Sequence, residues 1–179
     1  SINYGKFIKV FCGGIIGPEY GTTSGTNSNI RIINCSNYGE FNISGSAQSR
    51  CGGITGGSTN TTTVYKNTNL FISNCKNYGK FTKGIVVSGI VGYIFRSMKY
   101  KTAADNNTYK ISQCINTSDI GSGCTYSGGI VSSFGNGADT SIIENCYSTG
   151  NLNGIGCGGI SGFKLYGATI KNCYYIGDI

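Results

Sequence analysis

Apolar and polar positions alternate in short runs along the chain, and the runs recur. Ile32–Phe41 reads IINCSNYGEF, Ile72–Phe81 ISNCKNYGKF, Ile111–Ile120 ISQCINTSDI, Ile143–Leu152 IENCYSTGNL and Ile170–Ile179 IKNCYYIGDI. Ser1–Phe7 (SINYGKF) is the same phrase entered at its Cys position. A second phrase alternates with the first: CGGIIG from Cys12, CGGITG from Cys51, VSGIVG from Val87, SGGIVS from Ser127 and CGGISG from Cys157. Both are short, bounded by Gly and Asn, and lack the 3.6-residue spacing of a helix, so they predict strands. Helix formers such as Ala and Leu are scarce.

Self-similarity at a fixed period is the mark of a stacked repeat. The Cys of the first phrase stands at 35, 75, 114, 146 and 173, giving steps of 40, 39, 32 and 27 residues. A unit of that size, built of several short strands and turns, predicts an all-β fold: a parallel β-helix or β-solenoid of about five stacked coils. Stacked strands would lie about 4.8 Å apart. The variation in length falls in Pro18–Asn29, Gly57–Asn69, Tyr93–Thr108, Ser133–Ser141 and Phe163–Thr169, rich in Thr, Ser, Asn and Gly. Insertions confined to one point of each repeat place these loops on one edge. Residues 1–179 read as a single repeat domain, and neither end shows a polar cap.

Stacking turns each repeat position into a file of side chains. Ile32, Ile72, Ile111, Ile143 and Ile170 form one, and Phe7, Phe41, Phe81, Ile120, Leu152 and Ile179 another; both are expected to be core. Asn34, Asn74, Gln113, Asn145 and Asn172 precede the Cys, and Asn3, Asn37, Asn77, Asn116, Ser148 and Tyr175 lie two places after it. Asn files can pass amide hydrogen bonds from rung to rung, and Asn also tolerates the positive φ of a corner. Asn34, Asn74, Asn145 and Asn172, with the Cys file, are taken as the structural ladder.

Nine cysteines, an odd number, leave at least one thiol without a partner in the chain, and no CxxC occurs. Cys35, Cys75, Cys114, Cys146 and Cys173 read either as buried thiols or as stacked neighbours near disulfide distance. Cys12 and Cys51 present the same alternatives in a second file, which Val87 and Ser127 interrupt before Cys157; those residues argue that the site wants a small side chain rather than a bridge. Five places after the first-phrase Cys the file holds Lys6, Glu40, Lys80, Asp119, Asn151 and Asp178, with signs that mostly alternate. Alternation relieves the repulsion of stacked like charges. It also places Asp178 to meet Lys6 of another copy, so Lys6, Phe7, Asp178 and Ile179 are the candidate head-to-tail interface. An excised piece of a longer solenoid explains bare ends equally well.

Composition narrows the chemistry. There is no His among 179 residues, which excludes His-based triads and most zinc sites. No cofactor is expected. The net charge of +7 comes from 14 Lys+Arg against 7 Asp+Glu. The densest basic stretch is Arg96, Lys99, Lys101 and Lys110, without a nucleic-acid-binding motif, so no nucleic-acid partner is expected. No apolar run approaches about 20 residues, so no membrane-inserting helix is expected. Glu19, Glu40, Asp105, Asp119, Asp139, Glu144 and Asp178 show no pairing that marks a glycosidase or lyase. Tyr4, Tyr38 and Tyr78 form a short file that, if exposed, could stack on sugars; corner packing is the competing reading. Sequons at Asn34, Asn42, Asn60, Asn106 and Asn116 are about what the composition gives by chance.

The phrases resemble the GLUG-type repeats of bacterial and protist surface proteins, in which "NCYNxGxI" alternates with "GGIVG". Asn34–Phe41 with Cys51–Gly56, and Asn145–Leu152 with Cys157–Gly162, carry the likeness, which runs over essentially the whole chain. Thr117-Ser118, Ile176-Gly177 and Val87-Ser88 depart from it. The resemblance implies a β-solenoid in an extracellular or cell-surface adhesin, acting as stalk or scaffold without catalysis. Expected partners are copies of the chain, flanking repeats or glycans. The alternative is a glycan- or ligand-binding β-helix.

Overall fold

The computed structural model describes residues 1–7, 11–17, 29–43, 49–57, 69–94, 107–134, 140–163 and 167–179. Of the length-variable segments, residues 18–28, 58–68, 95–106, 135–139 and 164–166 lie outside that set. So do Arg96, Lys99, Lys101, Glu19, Asp105, Asp139, Asn60 and Asn106.

Among the described residues every element is a strand, and every pairing is parallel. The strands are two to six residues long. Five sheets form. A six-stranded sheet joins Ile2–Asn3, Ser36–Asn37, Lys76–Asn77, Ile115–Asn116, Tyr147–Ser148 and Tyr174–Tyr175 in chain order. A five-stranded sheet joins Asn29–Ile33, Asn69–Ser73, Thr108–Ser112, Thr140–Glu144 and Ala168–Lys171 in the same order. A four-stranded sheet contains Lys6–Phe7, Glu40–Asn42, Phe81–Ile85 and Ile120–Thr125. The second phrase supplies a three-stranded sheet (Phe11–Gly13, Arg50–Gly52, Val87–Ser88) and a two-stranded one (Val91–Ile94, Val131–Phe134).

Register follows the repeat without slippage in the five-stranded sheet. Ile32 pairs Ile72, Ile72 pairs Ile111, Ile111 pairs Ile143 and Ile143 pairs Ile170. The shortening of the repeat is therefore absorbed outside the paired strands. The reason is energetic: a one-residue slip would turn every buried Ile outward.

The period-2 pleat decides which side chains are interior. From Cys35 the alternate residues Asn37, Gly39, Phe41 and Ile43 are buried, while Tyr38 and Asn42 are exposed. Two apolar clusters result. One gathers Ile72, Ile111 and Ile143 with Ile54, Ile90 and Ile130 of the second phrase and the thiols Cys75, Cys114 and Cys146. The other gathers Phe41, Phe81, Ile120 and Leu152 with Cys12, Cys51, Val87 and Cys124. Phe7, Phe41 and Phe81 stack with ring centroids 4.6 and 4.3 Å apart.

The two phrases meet across the interior at a glycine. A Cβ at Gly53 would lie 2.3 Å from Asn77 Oδ1 and 2.1 Å from the Gly89 carbonyl oxygen. A Cβ at Gly89 would lie 2.3 Å from Asn116 Cγ and equally close to the Gly129 carbonyl oxygen. The second phrase keeps glycine here because the first phrase fills the space with a buried amide. Gly53→Ala is expected to cost roughly 1–3 kcal/mol, the usual range for overpacking, because backbone as well as side chain blocks the methyl. Chemical denaturation against the parent measures it; an unchanged midpoint would contradict the contact.

Candidate functional site

Each corner between the five-stranded and six-stranded sheets turns on one residue in the left-handed region. Asn34, Asn74, Gln113, Asn145 and Asn172 have φ of 57°, 51°, 54°, 53° and 50°. Asn reaches this conformation at lower cost than most residues, which accounts for four of the five. Their side chains face outward, and Asn74 Nδ2 donates to Asn34 Oδ1 at 2.7 Å. A second corner turns on Val86, Tyr126 and Gly156, at φ 58°, 50° and 68°. Val86 is the β-branched member of this set, a residue type that disfavours positive φ.

The buried amide ladder is the file two places after the Cys. Asn3 Nδ2 donates to Asn37 Oδ1 at 2.7 Å, Asn37 to Asn77 at 2.8 Å, and Asn77 to Asn116 at 2.8 Å. Asn116 Nδ2 then donates to Ser148 Oγ at 3.1 Å. Each amide also closes on its own turn: Asn77 Oδ1 accepts from the Gly79 N–H at 3.2 Å while its Nδ2 donates to the Gly79 carbonyl at 3.1 Å. Asn37, Asn77 and Asn116 are fully buried, so this satisfaction is what makes polar groups tolerable there. The file ends at Tyr175, whose hydroxyl donates to the Asp178 carbonyl at 2.7 Å.

All nine cysteines are free thiols, seven of them buried and Cys157 and Cys173 half-buried. In the first-phrase file the sulfurs bond main-chain carbonyls as well as their neighbouring sulfurs. Cys114 Sγ donates to Ser112 O at 3.2 Å, and Cys146 Sγ to Glu144 O at 3.2 Å. Elsewhere in the interior, burial pushes the Cys124 thiol up to about 12, so it stays protonated at neutral pH.

Exposed tyrosines stand just after the first three strands of the six-stranded sheet. Tyr4, Tyr38 and Tyr78 are exposed, and their rings stack on one another at 5.0 and 4.6 Å. The ring faces within the stack are thereby occupied, so the file offers mainly ring edges and hydroxyls. Tyr147 and Tyr174 repeat the arrangement further along the same sheet, at 5.0 Å.

No known family model, curated protein or solved structure matches the chain.

The charged residues gather elsewhere than the alternating file. Lys6 stands opposite Glu40 in register, but among the described residues the ion pairs are those of Glu144, with Lys110 at 2.6 Å and Lys171 at 2.9 Å. Both lysines reach it across neighbouring strands on the outer face of the five-stranded sheet. The hydrogen bond from Lys110, and next that from Lys171, holds the Glu144 carboxyl below the usual glutamate range. A folded pKa below the unfolded one stabilises above the ordinary glutamate range, and the contribution fades as pH falls through the folded value. Glu144→Gln should therefore remove a small, salt-sensitive contribution at neutral pH and none in strong acid. Thermal melts across that window measure it, and an equal effect at both extremes would contradict the pairing.

A shallow groove on this sheet is lined by Asn29, Ile30, Arg31, Asn69 and Phe71. The Arg31 guanidinium lies 5.4 Å from the Phe71 ring centre, and Asn69 Nδ2 donates to Asn29 Oδ1 at 2.7 Å. Among the described residues no three acidic or Cys side chains gather to hold a metal ion. The residues expected at a head-to-tail contact sit on opposite margins of the sheets. Phe7 is half-buried against Phe41, while the main chain of Asp178 pairs with Asn151 Oδ1 and the Leu152 N–H. Ile179 is 73% exposed.

Proposed function

We propose that the five parallel sheets close on one another as a β-solenoid of about five coils, and that the chain is a non-catalytic extracellular or cell-surface scaffold of the GLUG-repeat type. The observation that carries this reading is the amide ladder from Asn3 to Ser148, which ties five successive phrases to one another through the interior. Side chains fill that interior, which favours a load-bearing role over one that admits a substrate.

The two outer margins favour stacking of a further coil of the same kind, from a flanking repeat or from another copy. Ile170 is 40% exposed where its file-mate Ile143 is fully buried, and Tyr174, Ile176 and Ile179 are exposed beside it. Ile2 and Tyr4 are exposed at the other margin. A coil of the same kind would bury both sets and pair the open strand edges, with Asp178 meeting Lys6. Sedimentation velocity over a concentration series, with negative-stain electron microscopy, tests this. Open-ended assemblies with an axial repeat of about 24 Å, five strand spacings, are expected, and Asp178→Lys should weaken them. A monomer at every concentration would overturn self-association of this chain.

The second reading, glycan binding, rests on the exposed Tyr4, Tyr38 and Tyr78. Because the rings stack face to face, it requires recognition by edges and hydroxyls. A glycan array comparing the parent with Tyr38→Ala tests it, and no bound glycan would remove it.

A further inference from the structure

The two thiol files differ in length: one is a run of five cysteines, the other an isolated pair followed by Val87. In the first-phrase file five cysteines follow one another, and the sulfurs bond carbonyl oxygens, as Cys75 Sγ does Ser73 O at 3.3 Å, as well as neighbouring sulfurs. In the second-phrase file Cys12 stands directly opposite Cys51 in parallel register, between Phe11–Gly13 and Arg50–Gly52. There Cys12 Sγ donates to Cys51 Sγ at 3.0 Å, within the interior. The next residue of that file is Val87, which pairs with Cys51 in register, so the sulfur file stops at two.

This geometry lies one short movement from a bond. Neighbouring parallel strands are about 4.8 Å apart, inside the range of Cα separations that disulfides span. Closing the sulfurs to about 2.05 Å requires a rotation about each Cα–Cβ bond and a small strand shift. The rest of the cluster competes poorly. Cys124 and Cys157 pack in the same cluster, but neither is in register with Cys12 or beside Cys51 in the file.

We propose that Cys12 and Cys51 are a modification site: a dithiol that closes to a disulfide in the folded protein, with a hydroperoxide as oxidant, and staples the first repeat to the second. One sulfur, as thiolate, attacks a peroxide oxygen; the O–O bond breaks, an S–O bond forms, and the departing hydroxide takes up a proton as water. The second sulfur then displaces that oxygen; the S–O bond breaks, the S–S bond forms, and a second water leaves. Two electrons pass from the two sulfurs to one peroxide, and both thiol protons end in water. Cys12, at 7% exposure against none for Cys51, is the side from which so small an oxidant reaches the pair.

The test is a disulfide map of the folded chain after exposure to dilute hydrogen peroxide, with remaining thiols alkylated under denaturing conditions. The expected result is a mass loss of two hydrogen atoms and seven alkylated cysteines in place of nine. One cross-linked peptide should join Cys12 to Cys51, and dithiothreitol should reverse it. Cys51→Ala should abolish the cross-link, and Cys75→Ala should leave it intact, so a variant that fails to fold does not decide the matter alone. Nine alkylated cysteines, added oxygen at Cys12 without a cross-link, or a cross-link forming first between Cys75 and Cys114 would each overturn the proposal.

Discussion

Asn77→Ala is expected to lower stability by about 3–5 kcal/mol, although Asn77 is a polar residue on a two-residue strand. Its amide makes four hydrogen bonds at full burial: it accepts from Asn37 and the Gly79 N–H, and donates to Asn116 and the Gly79 carbonyl. Each bond is worth about 1 kcal/mol net, and a buried group left without a partner costs about 1–3 kcal/mol. Alanine removes the four at once and strands the Gly79 N–H in a space too close-packed to admit solvent freely. The control is Asn74→Ala, three residues away. Asn74 is exposed and bonds the side chain of Asn34, so its loss is limited to one surface hydrogen bond and the left-handed corner, about 1–2 kcal/mol. Equilibrium denaturation of both variants gives the ratio directly. Equal costs would mean that the amide ladder is not what holds successive repeats together.

Phe81→Ala should cost about 3–5 kcal/mol by cavity formation. The ring is buried, stacks on Phe41 at 4.3 Å and stands opposite Ile120 in register. Loss of the ring leaves Phe41 and Ile120 without their shared neighbour, and main chains hydrogen-bonded on both sides cannot collapse into the gap. Phe81→Leu should cost no more than about 1.5 kcal/mol, because the same file already runs as Ile120 and Leu152 further on. Phe7→Ala should cost less than Phe81→Ala, since Phe7 is only half-buried. Thermal and denaturant midpoints of the three variants test that order; a Phe7 variant as damaged as the Phe81 variant would contradict it.

Much of the strand register was readable from the sequence. Aligning the phrases on their cysteines places Ile32, Ile72, Ile111, Ile143 and Ile170 in one file, and those residues pair in the sheet. The register is legible because the phrases repeat residue by residue while insertions fall between them. The expectation that Asn serves corners matches the positive φ of Asn34, Asn74, Asn145 and Asn172. What the sequence left unresolved was which Asn file lies inside. The signal was present: counting by twos from a buried Cys35 reaches Asn37 and Phe41 and passes over Asn34, but it needs the Cys to be known as interior. The Gly53–Asn77 contact was not legible at all, because it depends on how two phrases face each other across the interior. The ion pairs of Glu144 were missed because they join strands at positions two and four before the Cys, outside the file where the signs alternate. The Cys12–Cys51 pair was legible as a juxtaposition, but its Sγ–Sγ approach of 3.0 Å is visible only in three dimensions.

The central claim is that successive repeats stack in parallel register through a shared interior ladder. Nuclear Overhauser contacts in an isotope-labelled sample test it most directly. The account predicts contacts between the side-chain amide protons of Asn37, Asn77 and Asn116, residues 40 and 39 apart in sequence, with parallel-strand contacts joining Ile72, Ile111 and Ile143. Antiparallel contacts between neighbouring strands of one repeat, with no amide contacts from Asn37 to Asn77, would contradict it.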